Sequence, residues 1–116
     1  MAVITPTPVE SMSTGVTYVK WENVTAADTC APTFFAEYSD RSVQVFGVFD
    51  GATVQMKGTN GHGVAPYEAL NDPHQNVLSF TGPKIEQILE NTQAIKPEFS
   101  GGGINQSLTI ILVGRK

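Results

Sequence analysis

The chain reads as an all-β protein, an antiparallel sandwich of jelly-roll-like character with one short helix near residues 84–90 and an extended N-terminal arm. Two observations carry this. Residues 42–57, SVQVFGVFDGATVQMK, hold two alternating runs either side of Asp50-Gly51, and seven or eight short runs of this kind recur with turn signals about every 8–12 residues. Val43, Val45, Gly47 and Phe49 share one face, with Gln44, Phe46 and Val48 on the other, and Ala52, Val54 and Met56 then alternate with Thr53, Gln55 and Lys57. A type I′ turn needs positive φ at both central residues, which Asp-Gly accepts cheaply, so the stretch is expected to be a β-hairpin.

Along the chain, residues 1–14 hold Pro6, Pro8 and a run of Thr and Ser without periodicity, as an arm of polyproline character would. Residues 15–116 form the single domain. Thr17, Val19 and Trp21 alternate with Tyr18 and Lys20 as a first strand, residues 25–32 are a loop, and Phe34-Phe35 and Glu37-Tyr38 a short strand or bend. The glycines of 58–63 make a wide turn, residues 66–70 another short strand, Asn71-Asp72-Pro73 a break, and residues 77–80 a further strand. Ile85, Ile88 and Leu89 recur at helical spacing behind Pro83, which predicts a two-turn helix. Pro97 confines the strand over 94–99 to a sheet edge or bulge. After Gly101-Gly102-Gly103, the near-continuous apolar run SLTIILV (107–113) suggests a strand covered on both faces.

Composition narrows function. At 116 residues one core is expected, and charged residues at 16% fall below the usual ~25%, as though some surface were buried against other chains. The net charge is −4 and only Arg115-Lys116 cluster, so neither nucleic acid nor an anionic membrane is an expected partner. Cys30 is the only cysteine, which excludes an internal disulfide and points to cytosolic synthesis. The first ten residues read as no signal peptide, and no apolar run reaches the ~20 residues of a membrane span.

No chemistry-bearing constellation emerges. His62 and His74 are the only histidines and read as surface loop residues, not ligands; Cys30 reads as a structural thiol; Asp50, Glu68, Asp72, Glu86, Glu90 and Glu98 are scattered. The chain is therefore expected to be no enzyme and to need no cofactor or metal. Trp21 and Tyr67 could form a sugar-stacking platform, which keeps a carbohydrate-binding module as an alternative.

The segments 53–61, 72–81, 85–91, Ile95-Lys96-Pro97, Gly101 to Gly103 and 108–116 resemble a group of small tailed-phage virion proteins in the order of hairpin, DP-containing turn, short helix, IKP-type tripeptide, glycine-rich turn and final basic strand. The resemblance covers residues 42–116, departs at His62-Gly63, and leaves the first 40 residues unmatched. Such proteins include jelly-roll cement, or decoration, proteins that clamp the shell of the major capsid protein, and related modules at the tail or connector. The resemblance implies a virion protein on the outer capsid surface, with the major capsid protein as partner. The residues expected at the partner interface are Val3, Ile4, Pro6, Pro8 and Val9 of the arm and Phe46 and Val48 of the hairpin's second face. A second copy covering that face, as a homodimer or else a trimer, is expected as well.

Overall fold

The computed structural model describes residues 3–5, 7–9, 15–61 and 66–116. His62 and Pro6 lie outside them. Twelve strands are present among these residues and no helix: β1 (Val3–Ile4), β2 (Thr7–Val9), β3 (Val16–Val24), β4 (Thr29–Cys30), β5 (Thr33–Phe34), β6 (Asp40–Val48), β7 (Ala52–Thr59), β8 (Glu68–Ala69), β9 (Ser79–Phe80), β10 (Lys84–Ile88), β11 (Ala94–Gly101) and β12 (Ser107–Arg115). Ten of them form two packed five-stranded sheets, and β1 and β4 pair as a separate two-stranded one. The first runs β10-β6-β12-β3-β2; the second runs β5-β11-β7-β8, with β9 also paired to β7. Every pairing is antiparallel except that of β1 with β4, which is parallel. Residues 3–4 and 7–9 therefore run along the domain itself, and Ile4 packs partly on its core.

The core is the inner row of each sheet. Val43 and Val45 of β6, Leu108, Ile110 and Leu112 of β12, and Val19, Trp21 and Val24 of β3 face Ala52, Val54 and Met56 of β7 and Ile95 of β11, all buried. Alternation along β6 and β7 thus marks the buried face correctly, and burial of these side chains at roughly 1.5–3 kcal/mol each supplies the main stabilisation.

The expected hairpin over 42–57 is not formed. The turn has the expected geometry, with φ of 47° at Asp50 and 83° at Gly51 and the Ala52 N–H donating to the Phe49 carbonyl at 2.8 Å. Yet β6 pairs with β10 and β12, while β7 pairs with β11, β8 and β9. The turn carries the chain across the sandwich from one sheet to the other. Residues 102–106 cross beside it, because β12 starts next to Val48 and β11 ends next to Ala52. Asp50 ties the two crossings together: its carboxylate accepts from the Asn105 N–H at 3.0 Å. Inward-facing residues of opposed sheets alternate just as those of a hairpin do, so the pattern alone does not separate the two arrangements.

The expected helix over 84–90 is also absent; residues 84–88 are the edge strand β10, with Lys84 opposite Val45 and Ile88 opposite Arg41. Ile88 is buried, but Ile85 is 62% exposed and Leu89 points largely to solvent, so the three apolar residues share no buried face. Two helical turns would be marginal in water, whereas pairing with β6 satisfies the backbone of one strand edge. Pro97 lies in β11 where β5, paired only at Ala94 and Ile95, no longer covers it, so the strand there is an edge as expected. β12 is central in its sheet and differs from the expectation of equal cover: its inner residues are buried and its outer ones half-buried.

Arg41 fastens the loops to this frame. Its fully buried guanidinium donates from Nε to the Tyr38 carbonyl at 2.8 Å and from Nη2 to those of Phe35 and Thr92 at 2.6 Å each. Burial pushes its pKa down to about 10.

Candidate functional site

The two outer faces of the sandwich differ in kind. On the second sheet, β7 and β11 present Thr53, Gln55, Lys57, Lys96, Glu98 and Ser100. Glu98 accepts ion pairs from Lys57 at 3.1 Å and Lys96 at 3.8 Å, and the Lys96 ammonium lies 4.3 Å from the centroid of the Tyr67 ring. This is a solvated, charge-satisfied face.

The outer face of the first sheet is uncharged along the middle of β6 and β12, where apolar side chains alternate with uncharged polar ones. The strand registers place Ile85, Gln44, Ile111 and Lys20 in one row and Gln87, Ser42, Val113 and Tyr18 in the next. Phe46 opposes Thr109 and Val48 opposes Ser107 at the end where the chain crosses the sandwich. Phe46 is 38% exposed and Val48 53% exposed. The charged residues are few: Lys20 pairs with Glu22 on β3, and Asp40 opposes Arg115 where β6 and β12 end. Covering its exposed apolar side chains by another surface is favourable, and no charge in the middle of β6 and β12 opposes it.

Of the residues expected to bind a partner, Phe46 and Val48 lie together on this face. β2, with Pro8 opposite Val19 and Val9 opposite Tyr18, forms the sheet's edge beyond β3. Val3 and Ile4 do not join them: they run beside β4, where the Ala31 N–H donates to the Ile4 carbonyl at 2.9 Å, Val3 facing solvent and Ile4 the core. Ile85 belongs to the outer face of the first sheet and escapes sequence reading because its strand looks helical. Ile104, 99% exposed at the tip of the crossing over 102–106, is a further apolar side chain, and its place directly after three glycines was the available signal.

The groups weighed for chemistry lie in other settings. Trp21 is buried and its Nε1–H donates to the Ala31 carbonyl at 2.8 Å, so it offers no sugar platform. Tyr67 is half-buried with Lys96 against its ring. Burial, aided by the Asp28 charge, pushes the Cys30 thiol up to about 12, which keeps it protonated. Asp72 caps its own turn, accepting from the N–H groups of His74 at 2.9 Å and Asn76 at 3.0 Å, and these bonds hold its carboxyl below the usual range. Among the described residues no three His, Cys, Asp or Glu side chains gather as metal ligands would.

Neither a protein-family model nor a curated protein sequence matches the chain. Its fold is similar to that in the crystal structure of the SPBc2 prophage-derived protein YomS, with a TM-score of 0.60 at 10% identity, over 92% of this chain and 100% of that one.

Proposed function

We propose that the chain is a structural protein of a tailed-phage particle, a capsid cement protein that lays the outer face of its first sheet on the shell of the major capsid protein. The observation that carries this reading is the contrast between the faces: one bears the Lys57–Glu98–Lys96 ion pairs, the other is uncharged along the middle of β6 and β12 and carries Phe46, Val48, Ile85 and Ile111 among uncharged polar side chains. Exposed apolar side chains where charged residues are depleted are how a binding surface is built. The likeness of fold to a prophage-derived protein supports a phage origin, and the resemblance of residues 42–116 to virion proteins supports a place in the particle. Such a protein acts by binding alone, without catalysis or cofactor. It is made in the host cytoplasm and resides on the outer capsid surface, where contacts with several subunits become intramolecular after the first and multiply a modest affinity.

The test is rebinding of purified protein to shells stripped of it. Phe46→Asp and Val48→Asp, which put charge into this outer face, are expected to lower occupancy at least tenfold, while Gln55→Asp on the opposite face leaves it unchanged. Equal loss from both faces, or none from either, would overturn the assignment.

A further inference from the structure

β10 ends the first sheet. Among the described residues it pairs with β6 alone, so the backbone groups along its other side have no strand partner. An exposed edge of this kind invites another strand, and the usual guard is a charged residue that makes pairing unfavourable. Lys84 looks like such a guard, with its side chain 63% exposed. Its effect depends on what stands opposite, however, and Glu86 lies two residues along on the same side of the strand, 2.9 Å from Lys84 in this chain.

We infer that β10 pairs with β10 of a second copy of this chain, antiparallel about a two-fold axis at Ile85, to make one continuous ten-stranded sheet. In that register Ile85 opposes Ile85 of the second copy, and Lys84 and Glu86 of each chain oppose Glu86 and Lys84 of the other. Residues directly opposite sit with Cβ atoms about 4.5–5.5 Å apart, within reach of ion pairing. Four charges then alternate in sign around the axis, a network where a single chain has one exposed pair. The Ile85 side chain, 62% exposed in one copy, is covered by its own counterpart.

The neighbouring registers are worse for stated reasons. Centring the axis on Lys84 or on Glu86 sets like charges against one another, and centring it on Gln87 sets Glu86 against Ile88. A shift by a single residue turns the second copy's sheet over, so that its inner face would lie on the outer side. Beyond Ile88 the strand is already engaged, since the Leu89 N–H donates to the Asn71 carbonyl at 2.8 Å. The free edge therefore centres on Ile85. Ile85 is the one residue the pairing shares with the outer face, which the two-fold axis continues into the second copy; self-association thereby moves from the face around Phe46 to the sheet edge.

Charge complementation tests it. Sedimentation equilibrium of the wild type across the micromolar range is expected to show a dimer. Lys84→Glu makes the edge uniformly acidic and Glu86→Lys uniformly basic, so each variant alone is expected to dimerise at least tenfold more weakly. An equimolar mixture of the two restores opposite charges across the axis and is expected to recover a heterodimer, resolved from the homodimers by native mass spectrometry. Recovery also shows that both variants fold. Phe46→Asp is expected to keep the dimer. As an independent arm, Ile85→Cys is expected to form an intermolecular disulfide under mild oxidation, with buried Cys30 not competing. A monomeric wild type, single variants that dimerise as well as the wild type, a mixture that stays monomeric, or a dimer lost only with Phe46→Asp would each overturn the inference.

Discussion

Replacing Gly47 by alanine tests how the chain changes sheets. Gly47 sits near the end of β6 at φ +121°, and a Cβ there would lie 2.4 Å from the Ser107 carbonyl oxygen and 3.2 Å from the Leu108 Cα, both backbone atoms of the strand beside it. Neither can swing aside as a side chain would. Gly51 supplies the control, since its φ is also positive at +83° but nothing lies within 4 Å of its would-be Cβ. Strain from an unfavourable φ costs about 1–3 kcal/mol and applies to both; overpacking adds about 1–3 kcal/mol at Gly47 alone. For a chain of this length, an unfolding entropy of about 2.1 cal/mol/K per residue converts each kcal/mol into about 4 °C of Tm. Gly47→Ala is therefore expected to melt about 4–12 °C below Gly51→Ala, followed by the fluorescence of buried Trp21. Gly82→Ala, with no positive φ and no close neighbour, is expected to match or slightly exceed the wild type. Equal melting of the Gly47 and Gly51 variants would refute close apposition of β6 and β12 at the crossing.

Arg41→Met keeps an apolar stem but leaves the Tyr38 and Thr92 carbonyls without the guanidinium donor and the Phe35 carbonyl with the Tyr38 N–H alone. At about 1 kcal/mol or more for each lost bond, less the relief of removing a buried charge, it is expected to cost about 2–4 kcal/mol, read as a lower denaturation midpoint at unchanged m-value. Cys30 is expected to resist thiol reagents in the native protein at pH 8 and to react at the rate of unfolding. Because its folded pKa is raised from 9.0 to about 12, its contribution to stability is full below about pH 9 and declines as the pH rises towards 12. Thiol labelling against denaturant, and melting between pH 8 and 11, check both.

What the sequence reveals divides by range. Alternation names the buried rows of β6, β7 and β12 because burial follows side-chain direction, a property of each strand alone. It also locates the Asp50-Gly51 turn, whose positive φ values are local. It does not reveal that β6 and β7 belong to different sheets, since pairing is decided by β10, β11 and β12 from later in the chain. Residues 84–88 were misread because Ile85, Ile88 and Leu89 at helical spacing make too short a run to exclude a strand, and only the free edge of β6 decides between them. β1 and β2 are too short to have a period. For the site, Phe46 and Val48 were visible as apolar residues opposite a buried row, whereas Ile85 could join them only once its strand was known.

Copy number and orientation in purified phage particles that contain this chain test the proposed role most directly. Cryo-electron microscopy is expected to show hundreds of copies over the capsid, with the face bearing Phe46 and Val48 against the shell and the Lys57–Glu98 face towards solvent. A ring of roughly a dozen copies or fewer at the tail or connector, or the opposite face against the shell, would contradict it.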